Sequence, residues 1–416
     1  MPQMVFSMNE LASLLMGWMM LIIGVLLARV TEAVSVVSNE RITTEVKEDT
    51  ELEEEEEIVI LTPKPKDKKA TILSFGDTLV HSQVFKAVYK AETNDYDFSP
   101  MFQYVKKYFK NATVNIGNLE SSFGGAKKGY SGYPLFNAPE HLAIDLQELG
   151  VDIMTTANNH TLDMGFAGLQ STLDYLDEAG ISHTGTAKSK KEQNEILFKN
   201  LNGIKTAFLA FTYGTNGIPI PSGKEFCVNL IDKKLMRKQI RKAKKEGAEA
   251  IVVSMHWGVE YKTIQNAQQE ELAKFLIKND VNLILGCHPH VLQPMRMVST
   301  KVKGKIKKGL VIYSQGNFFS AQTYPNTRNT ALFKIELKKD GLTNEVSVER
   351  ARYVPIYVYD TGTYDKNRYK LLDLNAIIKD YRNKNKKGWT EAMYNLALRE
   401  KKRCQDIIGP AIDNSK

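Results

Sequence analysis

The sequence predicts an α/β domain built on a largely parallel or mixed sheet, and three observations carry that expectation. Between Ala70 and about Phe319, short apolar runs rich in β-formers alternate with amphipathic helical stretches, the pattern that crossover connections produce. Six of these runs lead straight into polar clusters of Asp, Glu, Asn or His. Of the 416 residues 43% are hydrophobic and 25% charged, enough apolar material for one large domain with appendages or for two domains.

Residues 11–28 (LASLLMGWMMLIIGVLLA) carry no charge between Glu10 and Arg29. At about 1.5 Å per residue such a helix nearly spans a hydrocarbon core. It lacks a basic leader and a small-x-small cleavage site, so residues 1–29 are expected to form an uncleaved, single-pass membrane anchor. Nothing basic precedes Leu11, whereas Arg29, Arg41 and Lys47 come after it; by the positive-inside rule alone the bulk of the chain lies in the cytoplasm. Residues 30–69 are expected to be a charged linker. The acidic run EVKEDTELEEEEE at 45–57, then Pro63, Lys64, Pro65 and Lys66, stay solvated and extended.

The strand candidates are 71–75, 113–116, 151–156, 250–255, 281–285 and 310–313. Phe166, Leu169, Leu173 and Leu176 share one helical face, closed by Gly180. Leu272, Phe275 and Leu276 do the same before Val281, and 233–247 is a surface helix with a narrow apolar stripe. The domain is expected over 70–358, with no internal repeat. Residues 359–416 are expected to be a basic, partly helical tail, from the runs at Lys384, Lys386 and Lys387 and at Lys401, Lys402 and Arg403. Such runs can touch anionic polymer or lipid, and more often are a solvated helix face.

The strand ends carry the chemistry. The clusters are Gly76-Asp77 with His81, Asn118-Leu119-Glu120, Asn158-Asn159-His160, His256 to Glu260, His288-Pro289-His290 and Gln315-Gly316-Asn317. Open α/β sheets bind ligands beyond the carboxyl ends of their strands. Of seven histidines, five (His81, His160, His256, His288, His290) lie in these clusters; His141 and His183 do not. A lone Gly-Asp is usually a turn, and Asn-Asn-His alone is as well read as a helix cap; it is the six together that point to a site. His81 reads equally as a helix-face residue.

Several classes lose support. The net charge of +8 (56 basic, 48 acidic) is modest and uneven, so no nucleic-acid partner is expected. Cys227, Cys287 and Cys404 are too few and scattered for a disulfide framework or a cysteine zinc site. No Gly-rich phosphate loop with Lys-Ser/Thr and no Gly-x-Ser-x-Gly elbow is present. Carboxylate, amide and imidazole donors together suit divalent Zn, Mn or Fe. A carboxylate can bridge two ions, and two ions about 3.5–4 Å apart polarise a substrate oxygen and acidify a water. Arg328, in TRNTALF, is a candidate partner for a substrate carboxylate or phosphate; a surface ion pair is the more ordinary role.

The strings NLESSFGG, VDIMTTANNHTLDMGFAGLQSTLDYLDEAGISHTGT, IVVSMHWGVEY, NLILGCHPHVLQP and VIYSQGNFF resemble the CapA (PgsA-like) family of poly-γ-glutamate capsule proteins, whose members look like metallophosphoesterases with altered motifs. The resemblance covers about 71–320. It implies a four-layer α/β/β/α sandwich and two divalent ions. By the same analogy Asp77 is the first aspartate ligand, Glu120 stands for the bridging aspartate, and Asn159 is the amide ligand. His256 and His288 serve one ion and His290 the other, while His160 contacts the reacting group as a proton donor. The usual Asp-x-His opening is absent, and His81 replaces its imidazole only if the loop folds back. Cys287 stands where relatives often carry histidine, with its side chain expected to point away from the ions; Gln315 replaces a common leucine without expected consequence.

The resemblance further implies a membrane-anchored protein acting in synthesis, export or anchoring of an anionic capsular polymer such as poly-γ-glutamate. Its partners would be the membrane subunits of a capsule synthase, and its domain would lie outside the cell, against the local charge count. The acidic tether would repel such a polymer. Two alternatives stay open: a cell-surface metal-dependent phosphoesterase or amide hydrolase, and a non-catalytic scaffold of the synthase.

Overall fold

Alternation along the first strand builds two cores at once. Ala70 and Ile72 face one way, Leu73 and Phe75 the other, and all four are buried. The computed structural model describes residues 65–384 and 388–415. The expected membrane helix, the linker up to residue 64, and Lys386 and Lys387 lie outside the described residues. Among the described residues no helix is long and apolar enough to cross a membrane.

The main strands in chain order are β1 (Lys68–Thr78), β2 (Val114–Leu119), β3 (Ile153–Thr155), β4 (Ser182–Thr184), β5 (Leu197–Leu201), β6 (Ile204–Thr212), β7 (Ala250–His256), β8 (Leu283–Cys287), β9 (Met295–Val302), β10 (Lys305–Ile312), β11 (Asn317–Phe319), β12 (Asn329–Lys339), β13 (Val346–Asp360), β14 (Tyr369–Asp373) and β15 (Ile412–Asp413). The first sheet runs β14-β13-β12-β1-β2-β3-β4, with β11 also beside β1 and β15 beside β13. Its β1 to β4 are parallel, and β12 to β14 add antiparallel. The second sheet runs β9-β10-β8-β7-β6-β5, parallel through β6, β7, β8 and β10 with an antiparallel strand at each edge.

The principal helices are α1 (Ser82–Ala87), α2 (His141–Leu149), α3 (Gly165–Glu178), α4 (Lys233–Lys245), α5 (Ala267–Lys278), α6 (Leu374–Arg382) and α7 (Glu391–Ile408). Three cores separate four layers. Val84 and Phe85 of α1 and Leu142 and Leu146 of α2 pack with Phe75 on the outside of the first sheet. Ile72, Val114 and Ile116 meet Phe208, Val252 and Leu283 between the sheets. Met236 and Ile240 of α4 and Leu272 and Leu276 of α5 cover Ile251 and Val253 on the outside of the second sheet. Asn266 opens α5 with a capping box, its side chain accepting from Gln269 N while the Gln269 side chain accepts from Asn266 N.

All six expected strands fall within or overlap strands of the structure. The expected boundary at 358 does not hold: it cuts β13, and the residues beyond it are built into the domain. β14 and β15 both pair with β13, and Cys404 and Ile408 of α7 enter the core between the sheets. The basic run misled because Lys402 and Arg403 are the exposed side of an amphipathic helix whose buried side is Ala397, Glu400, Cys404 and Ile408.

Candidate metal centre

The parallel strands of both sheets deliver their carboxyl ends to one rim. At the end of β1, Asp77 N donates to Gly316 O at 2.9 Å. That approach requires glycine at 76, because a Cβ there would sit 1.8 Å from Gly316 O. Glu120 comes directly after β2, with its N donating to Thr78 O at 3.1 Å. Asn158, after β3, ties two loops: its Nδ2 donates to Leu119 O at 2.6 Å and its Oδ1 accepts from His160 N at 3.0 Å. From the opposite sheet come His256, the last residue of β7, and His288 and His290 just beyond β8. His288 and His290 hold φ of 97° and 58°, left-handed conformations that cost a non-glycine residue about 1–3 kcal/mol and concentrate at functional sites.

These loops bring together two trios of donors, each with its ligand atoms within 4.8 Å of one another: Glu120 with His256 and His288, and Asp77 with Glu120 and His290. All five side chains are buried. Asp77 is fixed by Asn118 Nδ2 at 2.8 Å on Oδ1 and by His288 N at 3.1 Å on Oδ2. His290 Nδ1 is 3.6 Å from Asp77 Oδ2 and 3.8 Å from Glu120 Oε2. Asn159 Oδ1 is 2.6 Å from His256 Nε2, where both could serve one ion.

Unpaired atoms test whether ions fit here. Both carboxylate oxygens of Glu120, His256 Nδ1 and His288 Nδ1 are buried and receive or make no hydrogen bond. A buried carboxylate so placed is costly unless a cation compensates it. Burial first, and then the charge of Glu120, push Asp77 up to about 7. Burial raises Glu120 to about 8. Burial also pushes His256 down to about 4 and His290 down to about 3, and it lowers His288 as well, so all three imidazoles are neutral near pH 7, the form that ligates. Donors of this kind fit divalent ions.

His160 belongs to neither trio. Its Nδ1 lies 2.8 Å from Asp163 Oδ2, Phe136 meets it edge-on at 4.7 Å, and Asn216 Nδ2 is 3.5 Å from its Nε2. Burial works against its charged form, but the Asp163 hydrogen bond and the Glu120 charge outweigh that and raise it. Asp163 also accepts from Phe136 N at 2.7 Å, so its carboxylate is fixed independently of the imidazole. The pair can hold a proton and present it at Nε2.

The remaining expected residues divide. Asn317 Oδ1 is 3.0 Å from His290 Nδ1, the nitrogen that faces Asp77 and Glu120, where both could serve one ion, and its Nδ2 donates to Ser320 Oγ at 2.9 Å. His81 joins neither trio; its Nδ1 accepts from Ala321 N at 3.4 Å in the wall of an adjoining pocket, and burial pushes it down to about 4. Arg328 is a surface residue, its Nη2 4.0 Å from Asp360 Oδ2, for the reason that β12 begins beyond it and turns it toward β13. The Cys287 side chain does not point away: it is buried beside Asp77 and accepts from Gln315 Nε2 at 3.7 Å, and burial together with the Asp77 charge raises the thiol.

Three residues at the rim escaped the sequence reading: Asp163, Tyr213 and Asn216. The Tyr213 ring lies 4.5 Å from that of His288 and stacks over His256 at 6.3 Å. Asn216 Oδ1 accepts from Asn159 Nδ2 at 3.1 Å. Tyr213 and Asn216 come after β6, a parallel strand that was not recognised; the rule that found the other clusters would have found these. Asp163 stands three residues after His160, close enough to signal a pair.

The family model described as Bacterial capsule synthesis protein PGA_cap matches residues 71–322, more than half of the chain. The chain belongs to that family. As a PGA_cap member it is 29% identical over 313 residues to the capsule biosynthesis protein CapA of Bacillus anthracis, covering 73% of this chain and 72% of that one. It is also 29% identical over 297 residues to the PGA biosynthesis protein CapA of Bacillus subtilis (strain 168), covering 67% of this chain and 72% of the relative. Among solved structures it is similar to the calcineurin-like phosphoesterase YfkN of Bacillus subtilis, at 16% identity and TM-score 0.44 over 76% of this chain and 98% of that one. The NAD nucleotidase NadN of Haemophilus influenzae gives 13% and 0.45 over 82% of this chain and 61% of that one. At that distance neither solved structure says what this PGA_cap protein does.

Proposed function

We propose that this protein holds two divalent ions at the strand-end rim and uses them in making, exporting or anchoring an anionic capsular polymer, poly-γ-glutamate. The observation that carries the reading is Glu120, shared by both trios with neither oxygen receiving a hydrogen bond. Glu120, His256, His288 and Asn159 would hold one ion, and Glu120, Asp77 and His290 the other. Ions there would supply positive charge that polarises a phosphoester or amide oxygen and acidifies a water. The chain supplies the rest. Asn118 and His288 N orient Asp77, and Asp163 holds His160 with a proton ready at Nε2 for a leaving group. Residues 11–28 would anchor the chain in the membrane with the domain outside the cell, among capsule-synthase membrane subunits; the uncharged apolar run supports the anchor.

The test assays full-length protein with added manganese or zinc for cleavage of phosphate esters and of γ-glutamyl amides, beside His160→Ala. Cleavage that falls about 10²–10⁴-fold in the variant while its ion content stays the same supports the reading. Ion-loaded protein that cleaves neither substrate class sinks the catalytic part of it.

A further inference from the structure

Beside the clustered donors lies a pocket of about 430 Å³ whose wall includes His160 and His290. Four aromatic side chains, Tyr133, Phe136, Tyr261 and Tyr324, share the rest of that wall with His81 and one carboxylate, Glu260. Tyr261 and Tyr324 lie with ring centroids 4.6 Å apart, and Tyr133 and Tyr324 are 77% and 59% exposed, so ring faces are open to an entering group. No lysine or arginine lines the pocket. Glu260 is exposed and has no ion pair among the described residues. His160 brings little net charge, because the Asp163 carboxylate is 2.8 Å from its Nδ1.

An anionic polymer would ordinarily call for a basic pocket, and this one offers a carboxylate and no lysine or arginine. Aromatic faces attract cations through the ring quadrupole, and an unpaired carboxylate adds to the attraction. The same carboxylate repels the interior of a polymer that carries an acid on every unit.

The geometry points to a subsite for an organic ammonium group, held between Glu260 and the tyrosine faces of 261 and 324. The substrate is then zwitterionic: its acidic group meets the clustered donors and its ammonium enters the pocket. The acidic half rests on the two-ion reading; the ammonium half does not. Two sources share this chemistry, the free amino end of an anionic polypeptide and an aminoalkyl phosphate.

The test has two arms, both on full-length protein. In the first, with a chelator and no metal, choline and its uncharged isostere 3,3-dimethylbutanol are titrated and monitored by tyrosine fluorescence. Choline is expected to bind at least about tenfold more tightly, and the preference to vanish in Glu260→Gln and Tyr324→Ala, both exposed positions. Equal binding of the two probes, or a preference that survives Glu260→Gln, overturns the proposal. In the second arm, with manganese, phosphocholine is compared with 3,3-dimethylbutyl phosphate, and a γ-glutamyl tetrapeptide with its N-acetylated form. The pair that shows the tenfold preference names the source, and preference in neither pair overturns the zwitterion. Because the first arm holds no metal, a failure of ion uptake sinks the two-ion reading alone.

Discussion

Glu120 Oε1 lies 3.2 Å from His256 Nε2, joining a loop of the first sheet to a strand end of the second. Among the described residues Glu120 is the side chain common to both trios. Glu120→Gln keeps the size of the side chain and removes the charge that both ions would share. Divalent-ion affinity is expected to fall at least about 100-fold at both positions, whereas His290→Ala weakens one. Competition titration against a fluorescent chelator measures this; a variant that binds as tightly as the native chain would remove Glu120 from the centre.

Asp163 is a positioning residue, acting through His160. Asp163→Asn can still accept from Phe136 N, so the loop should survive, but the carboxylate beside the imidazole is gone. The His160 pKa is expected to fall, ion content to stay the same, and cleavage to drop about 100-fold, most for substrates with poor leaving groups. NMR titration of the ring gives the first quantity. An unchanged His160 titration would mean the pair does not hold the proton.

Ion uptake should release protons. Asp77 and Glu120, raised by burial to about 7 and about 8, keep their protons near neutrality in the ion-free protein, while His256 and His290, pushed down to about 4 and about 3, carry none. An ion must displace the carboxyl protons, so release is expected at pH 6.5 and should vanish well above pH 8. Native pKa values above the unfolded ones make these two carboxyls cost stability as pH rises, but His81, His256, His288 and His290, all pushed down by burial, act in the opposite direction below about 6.5; the ion-free protein is therefore expected to lose stability only as pH rises from about 6.5 to about 8. Calorimetry in two buffers of different ionisation enthalpy counts the protons; no release at pH 6.5 contradicts the electrostatics.

The segment beyond 358 is structural. Ile408 is fully buried between the sheets, so Ile408→Ala is expected to cost about 2–5 kcal/mol in urea unfolding. Ending the chain at 358 should leave it insoluble. A soluble, cooperatively folding truncation would show that α7 is dispensable.

Arg328 is expected to be silent. Its ion pair with Asp360 is 4.0 Å long and partly exposed, so Arg328→Ala should change stability by less than about 1 kcal/mol and leave ion binding untouched. A loss of ion or polymer binding would return it to the site.

Much of the site was legible because strand ends in an α/β sheet are marked twice, by a β-rich run and by polar residues after it. Asp77, Glu120, Asn159, His256, His288 and His290 were all marked in that way, and the structure brings them together. The loop after β6 was not legible, because that strand, KTAFLAFT, was not recognised and its rim residues Tyr213 and Asn216 went with it. Nor was the direction of Cys287. The backbone leaves the strand at His288 with φ of 97°, a turn that no spacing rule announces. The C-terminal helix was misread for a different reason. Its buried face is Ala397, Glu400, Cys404 and Ile408, and a glutamate at a core-facing position weakens the apolar signal. The structure satisfies Glu400 with Arg403 at 3.0 Å and Asn329 at 3.1 Å.

The most direct test of the central claim is elemental analysis of the full-length protein after exposure to manganese, zinc and iron, alongside Glu120→Gln. About two divalent ions per native chain and fewer than one in the variant are expected. A native chain that takes up no divalent ion from any of the three contradicts the account.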